Sequence, residues 1–226
     1  MTAGGMRVKD YETIVVGALN ANCYVLFSQA GGEAVVIDPG DEPEEIQAVV
    51  QGRGCSIGAL LLTHSHFDHM LAARELQEAT GAPVWLTAAD QAILLGHWRT
   101  AKSLIGYIPG EPPRVDRELV AGQSVVVGDI ELEVRSTPGH SPGGVSFVSH
   151  QLRAVFTGDA LFAGTIGRTD LLGGDFETLI TSLREQILTL PDDYAVLPGH
   201  GRASTVGTER QGNMFLAGAV VRPRWK

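Results

Sequence analysis

The chain is poor in cysteine: its 226 residues hold two, Cys23 and Cys55, with no Cys-x-x-Cys spacing. So sparse a set argues against a disulfide framework, and two free thiols are expected. Lys/Arg clusters are also lacking; 17 basic against 26 acidic side chains leave a formal charge of −9. A surface that tracks phosphates needs the opposite sign, so no nucleic-acid partner is expected. No apolar run is long enough to cross a bilayer, and no apolar core follows a basic start in the first 20 residues. Neither a membrane partner nor a secretory leader is expected, which leaves a cytoplasmic protein. No stretch of Ser, Pro or charge divides the chain, so residues 1–226 read as a single domain.

What is present is a compact, turn-rich composition, 44% hydrophobic with 28 glycines. Short β-branched stretches at 12–17, 22–27 and 33–38 read as strands, and 43–50 as a helix with Pro43 in its first turn. The apolar run 57–63 is continuous rather than alternating, as in a strand buried on both faces, and it ends at His64. Helix is expected over 68–79 and 88–95, with a strand at 83–86 between them. The stretch 96–118, broken by Pro109, Gly110, Pro112 and Pro113, reads as an irregular loop that rims a pocket or makes a surface excursion. Strands follow at 124–127, 130–135, 144–149 and 154–157, then a helix over 176–189 and a last strand at 194–197.

Chemistry concentrates at the ends of these strands. His64-Ser65-His66-Phe67-Asp68-His69 sets three imidazoles and a carboxylate within six residues, donors suited to zinc, iron or manganese. Chance assembly of that pattern in this composition is roughly one in a few thousand per chain. Asp159 ends Thr157-Gly158-Asp159, His140 lies in Pro138-Gly139-His140-Ser141-Pro142, and His200 lies in Pro198-Gly199-His200-Gly201. Seven candidate ligands exceed the needs of one four- or five-coordinate ion. Two metal ions with a bridging carboxylate and a bridging hydroxide account for them better.

These segments resemble the metallo-β-lactamase superfamily. So do Asn22-Cys23-Tyr24 and Val36-Ile37-Asp38-Pro39-Gly40, and the similarity covers nearly the whole chain. Within the superfamily, Ser141-Pro142-Gly143-Gly144, Gly167-Arg168-Thr169-Asp170 and Thr205-Val206-Gly207-Thr208-Glu209 are similar to the glyoxalase II-like branch, in its short bacterial form. The resemblance implies an α/β fold, a four-layered αββα sandwich with the metal site at one edge of its two sheets. It also implies His64, His66 and His140 on one divalent ion and Asp68, His69 and His200 on the other, with Asp159 bridging; zinc is the first choice, iron or manganese the others. The implied substrate is a small-molecule acyl-thiol such as S-lactoylglutathione. Two features depart from the long glyoxalase II enzymes: no C-terminal helical domain is expected, and the Lys/Arg/Tyr set that grips glutathione has no clear counterpart.

Asp68 and Asp159 are the expected catalytic residues, Asp68 orienting the nucleophile as well as ligating. A thiolate leaves readily, with a conjugate acid near pKa 8.5, so no strong general acid is needed. Asp38 reads equally as a hydrogen-bond partner of a ligating imidazole or as a turn former. Arg168 and Asp170 suggest an ion pair bracing the site loop. His97 and His150 read as ordinary histidines, Trp85 and Trp98 as packing residues, and Tyr107 as a candidate substrate contact by position alone. The resemblance leaves two rivals open: a persulfide dioxygenase with one iron on His64, His140 and Asp159, and a lactonase or other ester hydrolase with the same metals. A metal-braced scaffold without activity is the non-enzymatic alternative.

Overall fold

The computed structural model describes residues 11–106 and 109–217. The expectation for Tyr107 falls outside them. The first half builds one sheet and its helices: β1 (Tyr11–Val16), β2 (Ala21–Phe27), β3 (Glu33–Ile37), α1 (Pro43–Gly52), β4 (Ser56–Leu61), α2 (Ala73–Thr80), β5 (Val84–Leu86), α3 (Ala88–Ile105) and β6 (Arg117–Glu118). The second half supplies β7 (Ser124–Val127), β8 (Ile130–Ser136), β9 (Val145–Ser149), β10 (Ala154–Gly158), a hairpin of β11 (Leu161–Phe162) and β12 (Thr165–Ile166), α4 (Phe176–Ser182), β13 (Ala195–Pro198), β14 (Ser204–Thr205) and α5 (Val206–Gly212). The strands form two six-stranded sheets, ordered β1-β2-β3-β4-β5-β6 and β14-β13-β10-β9-β8-β7.

Side-chain alternation along the strands makes this a four-layered αββα sandwich. In β3, Val35 and Ile37 point into the core between the sheets, while Ala34 and Val36 point toward the helices. In β10, Ala154 and Phe156 face the other sheet, and Val155 faces α4. Three apolar clusters therefore fill the three gaps between four layers, and strands buried on both faces need the continuous apolar runs seen at 34–37 and 59–62. Ile46, Leu76, Leu94 and Trp98 cover the first sheet; Leu179, Leu183 and Ile187 cover the second. Among the described residues no helix is long and apolar enough to cross a membrane. Cys23 and Cys55 are both free thiols.

Three expectations are corrected. Residues 96–118 are an irregular loop only in part: α3 continues to Ile105 and 117–118 form β6, while the described residues from 109 to 116 are irregular. Leu94, His97, Trp98 and Ala101 keep one face buried at helical spacing, and Trp98 Nε1 donates to the carbonyls of Pro109 and Gly110. Gly96 does not break the helix; a Cβ there would lie 2.9 Å from Leu172 Cδ2. Helix 68–79 begins later, since Phe67–His69 is a single 3₁₀ turn and α2 starts at Ala73. Helix 176–189 is α for its first seven residues and then widens into a π turn over Leu183–Ile187. The α5 helix was not anticipated, although Thr205 caps it by accepting from the Thr208 amide at 3.2 Å.

Candidate metal centre

All seven predicted ligands converge at one edge of the sandwich. β4 runs into His64, β10 into Asp159 and β13 into His200, while His140 lies in the turn between β8 and β9. The sheets are tied together there: Asn22 Nδ2 donates to the carbonyls of Pro198 and Gly201, and Tyr24 OH donates to Pro198. Gly199 is required by crowding, because a Cβ would strike the Asp159 carboxylate and lie 2.7 Å from His69 Cε1.

Hydrogen bonds on the far side of each ring set which nitrogen faces inward. His140 Nδ1 donates to the Arg168 carbonyl at 2.8 Å, and His200 Nδ1 donates to the Asn20 carbonyl at 3.1 Å. His69 Nδ1 faces Asp38 Oδ2 at 3.2 Å. Thr63 Oγ1 donates to Asp38 Oδ2 at 2.7 Å, so its oxygen is left to accept from His64 Nδ1 at 2.9 Å. In all four rings Nε2 is thereby turned into the site. Asp38 thus orients two imidazoles, one of them through Thr63, and its backbone sits at φ +52°. The hydrogen-bonding and turn roles weighed for it coexist.

Among the described residues three groups of donors lie close enough to share an ion. In one, Asp38 with His64 and His69, the Asp38 carboxylate already accepts from Thr63 and faces His69 Nδ1, and the other two make up the site. His64, His66 and His140 offer one set, with His66 Nδ1 2.9 Å from His140 Nε2; Asp68, His69 and His200 offer the other. In the second, His200 Nε2 lies 3.2 Å from His69 Nε2 and 3.2 Å from Asp68 Oδ2, and the His69–Asp68 pair is at 3.6 Å. Ligands about 2.0–2.1 Å from a tetrahedral ion stand roughly 3.4 Å apart, so these spacings suit one ion per group. Asp159 lies between them, Oδ2 at 3.7 Å from both His140 Nε2 and His200 Nε2, and Oδ1 at 3.4 Å from His69 Nε2. Asp159 Oδ1 and His64 Nε2 are buried without a hydrogen-bond partner. Orphaned buried acceptors are costly, and a cation satisfies both.

The two groups differ in charge. Burial pushes the His64 and His66 imidazoles well below their ordinary range, and the neighbouring rings add to it. Burial also lowers His140, against a partial pull from Asp159. Burial opposes the charged form of His69 too, but the Asp159 and Asp68 carboxylates outweigh it and push this imidazole well up. His200 is raised in the same way, burial being overcome by its hydrogen bond to Asp68 and by Asp159. Asp159, despite burial, is held far below the usual carboxylate range by His69, His140 and His200.

Two residues outside the predicted set organise the site. Asp90 on α3 is buried, and its carboxylate accepts from the Ser65 amide at 2.7 Å and the Gly143 amide at 2.6 Å. One side chain thereby joins the His64–His66 loop to the His140 turn. His97 donates from Nε2 to the Leu172 carbonyl at 3.1 Å, so Nδ1 accepts from Ser65 Oγ at 2.7 Å. It is a core histidine that braces the ligand loop. Arg168 and Asp170 form the expected ion pair at 2.7 Å. His150 sits apart, against Tyr194 and Glu133.

The fold and these donors match known proteins. Residues 16–200 fit the family model described as the metallo-beta-lactamase superfamily. The chain belongs to the metallo-beta-lactamase superfamily. A probable metallo-hydrolase of Bacillus subtilis, YqgX, is 39% identical over 92% of this chain and 98% of its own length. The hydroxyacylglutathione hydrolase GloC of Haemophilus influenzae is 35% identical over 92% of this chain and 98% of its own. Among solved superfamily structures, the BLEG-1 B3 metallo-beta-lactamase superposes with a TM-score of 0.85 at 36% identity, covering 92% of this chain and 100% of that one. TTHA1623, solved in a di-iron-bound form, superposes with a TM-score of 0.83 at 40% identity, covering 91% and 100%. A superfamily hydrolase with a His/Asp cluster suited to divalent metal is the common ground of fold, donors and relatives.

Proposed function

We propose that the chain is a binuclear metal-dependent hydrolase of thioesters, acting on S-lactoylglutathione or a related acyl-thiol. The observation that carries the reading is Asp159, whose carboxylate lies between two complete donor sets. His64, His66 and His140 would hold one ion, Asp68, His69 and His200 the other, with Asp159 shared; zinc, iron and manganese all suit these nitrogen and oxygen donors. The 35% identical GloC supports the thioester, and the di-iron form of TTHA1623 supports two ions. The two free thiols go with a reducing, cytoplasmic setting.

Two such ions supply an activated water near neutral pH and stabilise charge on a carbonyl oxygen. The remaining work belongs to the chain. Asp68, with its side chain 14% exposed at the solvent side of the second set, can accept a proton from the attacking water and fix its direction. Asp38, Thr63, Arg168 and Asn20 fix the tautomers that present Nε2. The departing thiolate needs no proton donor, which matches a centre built of imidazoles and carboxylates.

A one-iron persulfide dioxygenase needs only His64, His140 and Asp159; the completed set of Asp68, His69 and His200 is surplus to it. Ester and β-lactam hydrolysis use the same two-ion arrangement, and the likeness to BLEG-1 brings a β-lactam into the test. The deciding experiment is a hydrolysis panel on metal-loaded protein, with S-lactoylglutathione, a simple lactone and a β-lactam side by side. The reading expects the thioester to have the highest kcat/KM. Turnover confined to the lactone or the β-lactam would refute it.

A further inference from the structure

A cavity of about 260 Å³ opens beside Asp68, between the β1–β2 turn, the Phe67–Leu71 segment and the last turn of α3. Its walls are aliphatic and aromatic: Leu19, Phe67, Leu71, Leu104 and Ile105. Its charged groups are all acidic. Asp41 and Asp68 line it, and the next residue after Asp41, Glu42, accepts from the amide of Gly17, itself a lining residue, at 2.7 Å. No Lys or Arg lines it among the described residues. Leu104 is 61% exposed although it caps an apolar wall, as a residue awaiting a ligand would be.

Resting on the thioester reading, we infer that this cavity receives an uncharged aliphatic arm of the substrate and selects against an anionic carrier. A glutathione arm brings two carboxylates and one ammonium. The ammonium can pair with one acidic group, but the two carboxylates would meet Asp41 and the neighbouring Glu42 with no Lys or Arg to pair them, at the cost of their hydration. An alkyl or acyl chain instead covers Leu71, Leu104 and Ile105, and each buried methylene adds affinity. The cavity is several times the roughly 30 Å³ taken by one water in the liquid, so a chain of several carbons fits. Because Asp68 is both a wall of this cavity and a member of the second donor set, a chain lying here would place its attached carbonyl near the centre.

The test separates the cavity from the chemistry. Hexanoyl hydroxamate and acetohydroxamate share a metal-chelating head and differ only in chain length. Calorimetry on metal-loaded protein should show the hexanoyl form binding at least about tenfold more tightly, and Leu104→Lys should reduce that ratio to about threefold or less. Equal binding of the two probes, or a ratio untouched by Leu104→Lys, would overturn the inference. In parallel, S-hexanoyl-N-acetylcysteamine should be hydrolysed with at least about tenfold higher kcat/KM than S-lactoylglutathione, and Leu104→Lys should narrow the gap. A thioester activity that favours the glutathione carrier would also overturn it while leaving the thioester reading intact. A chain preference in the hydroxamates with no thioester cleaved would leave the cavity assignment standing and sink the thioester reading.

Discussion

One donor set is three imidazoles, His64, His66 and His140, and the other is two imidazoles and a carboxylate, His69, His200 and Asp68, and their histidines are shifted in opposite directions. His64, His66 and His140 lie deep, lowered by burial, and are neutral and ready to ligate. His69 and His200 face Asp68 and Asp159, which favour the charged imidazolium over the neutral ring that a cation needs. His200 and Asp68 are also the more open pair, their side chains 26% and 14% exposed against 6% for His140. One half is a buried pocket of imidazoles clamped by Asp90; the other has the more exposed His200 and Asp68, and its carboxylates favour imidazolium. Burial and carboxylates make the difference, Asp68 within the second set and Asp159 beside it. The first half should therefore hold its ion more firmly, and the second should respond to pH and solvent.

The comparison breaks completely if its shared member is removed. Asp159→Ala should abolish binding of both ions and lower thioester hydrolysis by at least about a thousandfold, measured as metal content and kcat on one preparation. Removing one half should leave the other: His200→Ala is expected to keep close to one ion per chain, and His140→Ala to disturb the deeper one. Loss of both ions from His200→Ala would show that the two halves are not separable.

A milder change sharpens the contrast through the clamp. Asp90→Asn keeps the shape but replaces one of two acceptors by a donor, leaving the Ser65 or Gly143 amide unsatisfied. Stability should fall by about 1–3 kcal/mol in denaturant titration. Affinity at the first set should fall by about 10–100-fold, the scale typical of groups that orient ligands. Affinity at the second set should change little.

The smallest expected effect is the pH dependence. The folded-state pKa values of His69 and His200 are raised by the Asp68 and Asp159 carboxylates, so in the metal-free protein these rings hold their protons to higher pH than an ordinary imidazole does. Metal binding must release those protons, so affinity at the second set rises with pH. The first set, whose imidazoles are lowered, carries no such protons at neutral pH. Dialysis of loaded protein from pH 8 to pH 6 should strip one ion per chain before the other, with proton uptake visible in unbuffered solution.

Much of this was legible in the chain because strand ends and ligands coincide. The apolar run ending at His64 and the Gly-Asp, Gly-His pairs at 158–159, 139–140 and 199–200 mark loops at the ends of buried strands, and the structure brings all seven residues together there. The bracing residues were not legible. Asp90 and Ser65 are 25 positions apart, and Asp90 and Gly143 are 53 apart; only the packing of α3 across the ligand loops makes them neighbours. The same packing hid the second half of α3: the sequence pattern predicts helix over 88–95, and Gly96 looks like its end, whereas the buried face of Leu94, His97, Trp98 and Ala101 carries it to Ile105. Asp38 was legible as a motif but not as the partner of both His69 and Thr63, since that requires β3 and β4 to lie side by side in register.

The central claim is a two-ion centre shared through Asp159, and its most direct test is metal content per chain. Protein purified without chelator and analysed by plasma mass spectrometry should contain close to two ions of zinc, iron or manganese, and Asp159→Ala close to none. A single iron per chain, with no second ion taken up on reconstitution, would contradict the account and favour an oxygen-dependent, one-metal reaction.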